Sequence, residues 1–252
     1  MRTSGARWAW LLAATFVVAT VVLLLANLNI TVAAPLISDD ADLPDIIFAN
    51  FASAREAWLQ EMGTSVLFAL GFLAIAALGP ILRTVLGRSD PGGTRVAVCF
   101  LVAGTIGILS QVIYIGGKEV ATAPYYCDCD YLAAQLISRS TVLDVIVGMQ
   151  AWMIDAFSLI FSLGLLAAAG LATAAAFPAG FIRASQALPG IGLASVAWNR
   201  IAVPLLVSAD VHIEYGLIGL VILAVTAGVA APLWAVILAR SLSRESGAAT
   251  AG

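Results

Sequence analysis

Charged side chains and histidine are scarce in this sequence. Only 11% of its 252 residues are charged, and the chain contains a single histidine. Soluble domains carry about 25% charged residues, so the composition is not that of a soluble globular protein. The net charge of −3 provides no basic surface for nucleic acid. One histidine also excludes bis-histidine haem ligation and histidine-rich di-iron chemistry by this chain alone.

The familiar catalytic and nucleotide-binding patterns are missing as well. The sequence has no glycine-rich phosphate loop, no Gly-x-Ser-x-Gly and no His-Glu-x-x-His. It therefore indicates no particular reaction and no cofactor, and it favours a protein that is not an enzyme.

Long apolar runs are abundant. Hydrophobic residues make up 62% of the chain, and the runs recur at the length of about 20 residues that a helix needs to cross a bilayer. The alternating pattern of a membrane β-barrel is absent. We predict an all-α polytopic membrane protein, in one domain, with six transmembrane helices. The predicted spans are 8–30, 62–85, 95–116, 145–172, 188–208 and 213–240, followed by a flexible tail at 241–252.

The first apolar run, Trp8–Ala26, superficially resembles a signal peptide because basic residues precede it. It is longer than the apolar segment of about 7–15 residues in a signal peptide. We therefore expect it to be retained as the first transmembrane helix.

Basic residues lie mainly on one side of the predicted membrane. Eight fall on the side of the termini and three on the other, which predicts cytoplasmic termini. Eleven of the twelve basic residues are Arg, and with the many Ala and Gly residues this suggests a bacterial protein of the cell inner (plasma) membrane. The eight are Arg2, Arg7, Arg83, Arg88, Arg95, Arg183, Arg240 and Arg244, and the three are Arg55, Lys118 and Arg139.

The first outer loop has the pattern of an amphipathic helix. Ile47, Phe51, Ala54 and Trp58 recur at the spacing that forms one apolar helix face. We predict an extracellular amphipathic helix at about 45–60, and the alternative is an early extension of the second transmembrane helix.

The second outer loop is a cysteine-containing insert at 118–144. It holds Cys127 and Cys129, whereas Cys99 lies near the cytoplasmic end of the third span. The rise along that helix separates Cys99 from the other two by roughly 25 Å. Disulfide geometry therefore excludes a bond between them.

Several interpretations of Cys127 and Cys129 remain open. They could form a strained local disulfide, since the cell exterior is oxidising. With Asp130 and His212 they provide donors for a metal site, although a Cys-x-Cys spacing is atypical of zinc sites. They could also pair with another protein, including a second copy of this one, or be two thiols with no further role.

Two charged residues fall inside predicted spans at matching depths. At the helical rise, Asp155 lies roughly 15 Å and Arg200 roughly 12 Å from the outer surface. A lone charge at the bilayer centre costs at least about 2.5–3.5 kcal/mol, so such residues usually face the interior of the bundle and pair. We therefore predict an Asp155–Arg200 pair.

Further polar residues share the outer half of the membrane, among them Gln111, Gln150 and Asn199. The cytoplasmic half of the helices is poorer in polar groups. This distribution favours a cavity open to the outside over a continuous ion path. The alternative is that Asp155 and Arg200 form a structural ion pair that holds two helices in register, with no ligand involved.

These observations leave three classes of function. The first is a membrane protein with an outward-facing polar cavity that binds a small ligand or lipid, lined by Asp155, Arg200, Gln150, Gln111 and Asn199. The second is an accessory subunit of a larger membrane complex. The third is a membrane-embedded enzyme or metal-binding protein. The expected partners are the lipid bilayer and, in the second case, another membrane protein or a second copy.

Two short segments carry a resemblance to a known group. They are FSLGLL at 161–166 and FPAGF at 177–181, which leads into the fifth span. With the six-helix layout, the region Leu143–Arg240 resembles the small bacterial integral membrane proteins of unknown function of the DUF4386 type. The resemblance implies a six-helix membrane fold and assigns no functional residue.

Overall fold

The chain is helical almost throughout the part that the structure describes. The computed structural model describes residues 2–33, 58–86, 91–122, 132–174, 177, 179–209 and 215–248. The helices are α1 (Arg2–Ala33), α2 (Trp58–Leu86), α3 (Pro91–Thr122), α4 (Leu132–Ala174), α5 (Ala179–Ala197), α6 (Val203–Ser208), α7 (Tyr215–Val225) and α8 (Ala231–Ala248).

Two π-helical turns join the later helices into longer rods. The first, Trp198–Ala202, connects α5 to α6, and the second, Thr226–Ala230, connects α7 to α8. The residues that flank both turns keep right-handed helical backbone angles, so the chain does not break at either turn. The described chain thus contains six helical rods, of which α5–α6 is the fifth and α7–α8 the sixth.

The helices have the length and composition of membrane spans. Within the described residues, five segments are long and apolar enough to cross a bilayer, and the fifth rod is not among them. A helix satisfies its backbone hydrogen bonds internally, which is what the hydrocarbon of a bilayer requires. The predicted all-α polytopic membrane fold is therefore confirmed. The five segments are Thr3–Ala26, Trp58–Leu86, Pro91–Glu119, Ser138–Ala174 and Val221–Ser243.

Neighbouring rods run antiparallel and close into a ring. Each rod packs on the next one along the chain through the fifth, while α8 packs on both α5 and α1. Gly5 at the start of α1 lies against Ile81 near the end of α2 and Leu242 near the end of α8. The start of α1 and the end of α8 therefore share one end of the bundle, here called the terminal end. The opposite end, where Trp58 Nε1 donates to Glu119 at 2.8 Å, is called the distal end.

Gly104 and Gly107 allow α2 and α3 to approach closely. A Cβ atom at Gly104 would lie only 2.6 Å from the carbonyl oxygen of Phe72, and one at Gly107 would lie 2.4 Å from the Phe72 ring. Both positions need a residue without a side chain, which is typical of closely packed membrane helices.

Several helices are longer than hydropathy predicts. The predicted flexible tail at 241–252 begins inside α8, which continues to Ala248. Leu242 is fully buried, and the Ser241 hydroxyl donates to the Ile237 carbonyl at 2.8 Å. Packing on the other helices therefore holds polar residues in helical conformation, which a hydropathy window does not detect.

The insert predicted at 118–144 is helical on both sides. α3 continues to Thr122 and α4 begins at Leu132, so residues 123–131 alone separate the two helices. Cys127, Cys129 and Asp130 lie in that gap, outside the described residues. His212 and positions 45–57 of the predicted amphipathic helix lie outside them as well.

The terminal half of the bundle is densely packed. Trp234 is fully buried near its centre, where its Nε1 donates to the Ser185 hydroxyl at 3.0 Å. Large aliphatic and aromatic side chains fill the space around it. They include Leu12, Leu78, Leu82, Phe100, Leu165, Phe181, Leu238 and Leu242, all fully buried. This packing leaves the larger interior space to the distal half.

Candidate functional site: a cavity within the helix bundle

A cavity of about 650 Å³ lies in the distal half, and residues from all six rods line it. Ligand-binding pockets typically enclose about 300–1,000 Å³, so the space suits a small organic molecule. The cavity is polar along part of its wall and apolar along another part. Its lining residues include Phe16, Glu61, Gln111, Asp155, Ser195, Arg200 and Thr226.

Asp155 and Arg200 meet on the cavity wall, as the depth argument predicts. Nε of Arg200 donates to Oδ2 of Asp155 at 2.5 Å and joins α4 to the first π turn. The Asp155 side chain is 11% exposed, whereas that of Arg200 is 42% exposed. The Asp155 side chain is therefore enclosed, and much of the Arg200 side chain remains accessible.

The π turns position polar groups on two sides of the cavity. In the first, the Val203 N–H bonds to the Trp198 carbonyl, and this wider turn carries Arg200. In the second, Thr226 and Ala227 line the cavity. A π turn places one extra residue in the helix and rotates the residues beyond it, and such turns are frequent at functional sites. Nothing in the hydropathy pattern predicts either turn.

Two more predicted site residues line the cavity, namely Gln111 on α3 and Gln150 on α4. Gln111 is only 4% exposed, and its Nε2 lies 3.4 Å from the Ser110 hydroxyl. For Asn199, which lies in the first π turn, the described part of the chain includes the backbone and excludes the side chain. The structure thus brings together Asp155, Arg200, Gln111 and Gln150.

A second ion pair, between Glu61 on α2 and Lys118 on α3, lies beside the cavity. Glu61 and Tyr114 line the cavity, and Lys118 Nζ donates to the Tyr114 hydroxyl at 3.1 Å. Lys118 belongs to α3 and not to the predicted outer insert, and its side chain is 12% exposed. The spacing of four residues between Tyr114 and Lys118, which places both on one helix face, is the signal that predicts this contact.

Phenylalanine rings form the apolar part of the wall, here called the phenylalanine floor. It consists of Phe16, Phe68, Phe72, Phe157 and Phe161, which come from α1, α2 and α4. The centroids of Phe16 and Phe72 are 5.5 Å apart, and those of Phe72 and Phe157 are 4.6 Å apart. Edge-to-face contacts of this kind hold the rings in fixed relative positions. Because apolar residues occur on every face of these helices, the sequence alone does not identify this cluster.

Hydroxyl groups complete the lining of the cavity. Thr64 and Ser158 donate to the backbone carbonyls of Gln60 and Ile154 at 2.8 and 2.9 Å. A hydroxyl bonded in this way still accepts a hydrogen bond. The cavity wall therefore offers weak acceptors in addition to its charged groups. The lining hydroxyl residues are Thr64, Ser65, Ser158, Ser162, Ser195 and Thr226.

The described residues contain no group of three or more His, Cys, Asp or Glu side chains that could hold a metal ion. The candidate donors Cys127, Cys129, Asp130 and His212 are outside that part of the chain, so the cysteine interpretations stay open. Cys99 is a partly buried free thiol in α3. The cavity combines the Asp155–Arg200 ion pair, two amide side chains and an apolar floor, with the Glu61–Lys118 pair beside it.

No protein-family model, curated protein or solved structure matches this chain. The resemblance to the DUF4386-type group therefore stays a prediction. The conclusion that the site allows is that the chain is a multi-helix membrane protein with an amphipathic internal cavity.

Proposed function

We propose that this protein is a bacterial plasma-membrane protein that binds a small amphipathic ligand or lipid in its distal cavity, from the outer side. The observation that carries this proposal is the composition of one continuous cavity wall. Asp155 and Arg200 line the same cavity as Phe157 and Phe161 of the phenylalanine floor. A molecule with a polar group and a hydrocarbon part matches both surfaces at once.

Binding fits the shape of the cavity better than ion permeation does. Toward the terminal end, Trp234, Leu78 and Leu238 are fully buried and fill the bundle. Ion paths through membrane proteins are lined by polar groups or water-filled space through the whole bilayer. The packed terminal half supports a cavity that is closed toward the terminal end.

The cost of maintaining polar groups at this depth also supports a binding role. Asp155 is enclosed among helices, and burying an ion pair contributes little net stability compared with apolar packing. Ionisable residues within membrane spans commonly mark functional sites. A purely structural role would account for the contact between Asp155 and Arg200 but not for the cavity beside it.

Native mass spectrometry after mild detergent extraction tests the proposal. We expect a population of the protein that carries a bound small molecule. Ser195→Phe, which places a ring in the cavity from α5, should abolish this population. Ala197→Phe is the matched control, because this exposed residue lies on the same helix and does not line the cavity.

Other outcomes distinguish the remaining functions. A stable heteromeric mass without a small ligand would make the protein an accessory subunit and contradict the proposal. Equal ligand occupancy in Ser195→Phe and Ala197→Phe would place the bound molecule outside the cavity. A bound metal ion would instead support the site at Cys127 and Cys129.

A further inference from the structure

The two ends of the Arg200 guanidinium have different surroundings. Its Nε is occupied by Asp155, while the described residues provide no hydrogen-bond acceptor for its two terminal nitrogens. A guanidinium has five N–H donors in a planar fork that matches a carboxylate or phosphate. With 42% of the side chain exposed, Arg200 retains donors that a ligand can use.

The acidic groups of the cavity are already paired. Asp155 accepts from Arg200, and Glu61 forms its ion pair with Lys118. Among the described lining residues, Arg200 is the cation, and 42% of its side chain is exposed, against 12% for Glu61 and 11% for Asp155. This asymmetry favours an anionic ligand over a cationic one, although the formal charges of Glu61, Asp155 and Arg200 alone suggest the reverse.

Asp155 also determines where the free donors lie. Its carboxylate engages Nε at the side of the guanidinium, and no other described residue bonds to the two terminal nitrogens at the far edge. A carboxylate or phosphate can bind this edge through two parallel hydrogen bonds. Asp155 thus acts as a positioning residue for the cation.

The phenylalanine floor lies within reach of that headgroup site. Phe157 and Phe161 follow Asp155 on α4, and the helical rise puts Phe161 about 9 Å along the helix from Asp155. A hydrocarbon chain of several carbons spans this distance. The floor provides aromatic surface from α1, α2 and α4 for that chain. At about 650 Å³, the cavity has the size of a pocket for a drug-sized ligand.

We propose that the cavity binds a single-chain anionic amphiphile, with its carboxylate or phosphate on the guanidinium of Arg200 and its hydrocarbon chain against the phenylalanine floor. This inference rests on the proposed function and adds the charge and shape of the ligand.

Equilibrium binding to the protein in nanodiscs of zwitterionic lipid tests the inference. The probes are dodecanoate and dodecyl phosphate as anions, dodecanol as a neutral chain, dodecyltrimethylammonium as a cation, and acetate and inorganic phosphate as free anions. We expect the two anionic amphiphiles to bind at least tenfold more tightly than every other probe. Binding of dodecyl phosphate but not dodecanoate, or the reverse, identifies which headgroup is accepted and supports the inference.

Variants identify the group that recognises the charge. Arg200→Gln should weaken dodecanoate binding by roughly ten- to a hundredfold, the effect of losing hydrogen bonds to a charged group, and leave dodecanol binding nearly unchanged. Arg200→Lys should retain part of the preference for anions. Arg183→Gln is the matched control, because Arg183 is an exposed residue of α5 that does not line the cavity.

Binding of the probe series to the wild-type protein tests the inference even if Arg200→Gln does not fold. Equal binding of dodecanoate and dodecanol, or tighter binding of the cation, would overturn the inference and leave the proposed function intact. If acetate or inorganic phosphate binds as tightly as the long-chain probes, the cavity is a site for free anions and the phenylalanine floor does not contribute to affinity. That result would overturn the inference. If no probe binds, both the inference and the proposed function for such ligands fail.

Discussion

Lys118 on α3 forms an ion pair with Glu61 on α2, and each side chain is only 12% exposed. Lys118 also donates to the Tyr114 hydroxyl at 3.1 Å, and its ammonium lies 5.3 Å from the centroid of the Tyr114 ring. The pair joins α2 to α3 at the distal end, where the two helices form one wall of the cavity. It therefore contributes to the shape of the cavity while remaining outside the proposed headgroup site.

Removing one partner of this pair should destabilise the protein. We expect Lys118→Met alone to cost about 3–5 kcal/mol, the usual effect of leaving one buried charge without its partner. The double variant Glu61→Gln with Lys118→Met should be more stable than Lys118→Met, since it leaves no isolated charge. Reversible unfolding in mixed detergent measures the free energies of unfolding. Arg95→Met, at an exposed residue at the other end of the same helix, is the control, and an equal loss in the single and double variants would contradict the prediction.

The Asp155–Arg200 contact should affect ligand binding more than assembly. Asp155→Asn keeps an oxygen acceptor near Arg200, and Arg200 is 42% exposed and so depends less on its partner than the enclosed Glu61 and Lys118 do. We therefore expect a change in unfolding free energy below about 1.5 kcal/mol, the size of a typical hydrogen-bond contribution. The free energy of ligand binding should fall by more than the free energy of unfolding, because the Arg200 guanidinium is no longer held in place. Binding assays and thermal unfolding of the same preparations compare the two effects.

Asp144→Asn provides the control for this variant, because Asp144 is exposed on the same helix. If Asp155→Asn reduces the amount of folded protein and the ligand binding in equal proportion, the pair is structural. That result would favour the interpretation in which the two residues only hold α4 and the fifth rod in register.

Two glycines on α3 should respond in opposite ways to alanine. Gly104→Ala places a Cβ 2.6–2.7 Å from atoms of Phe72 and Ala76 on α2, two of them backbone atoms, so we expect a loss of about 1–3 kcal/mol from overpacking. Gly116→Ala has no atom within 4 Å of the new Cβ, and it should be neutral or stabilising by up to about 1 kcal/mol. Thermal unfolding of both variants checks this, and a similar effect at both sites would contradict the close packing of α2 and α3.

The hydrogen bond between Trp234 and Ser185 should be measurable as a coupling. Both residues are fully buried, so Ser185→Ala leaves the indole N–H without its partner and should cost about 1–3 kcal/mol. Trp234→Phe should cost more, because it also leaves unfilled space in the packed terminal half. A double-mutant cycle of unfolding free energies should show that the combined loss is smaller than the sum of the single losses. Strict additivity would show that the two groups do not interact.

The hydropathy pattern was sufficient for the fold class and for the central ion pair. Apolar runs of the length of a membrane span predict the six rods, because a bilayer requires long helices with internally bonded backbones. Asp155 and Arg200 stand out within these apolar runs because a bilayer disfavours charge. The helical rise then gives the two residues matching depths. Helix ends were less predictable, since α8 continues to Ala248 through residues that hydropathy assigns to a tail.

The sequence was therefore sufficient for the membrane-embedded class, the approximate spans and the pairing of two charges at one depth. Tertiary structure alone decided which faces of the rods point inward, because lipid is as apolar as a protein core and no amphipathic pattern marks the inner face. The phenylalanine floor, the Glu61–Lys118 pair and the two π turns depend on that choice of faces. The cavity exists because the rods close into a ring that large side chains fill only in its terminal half.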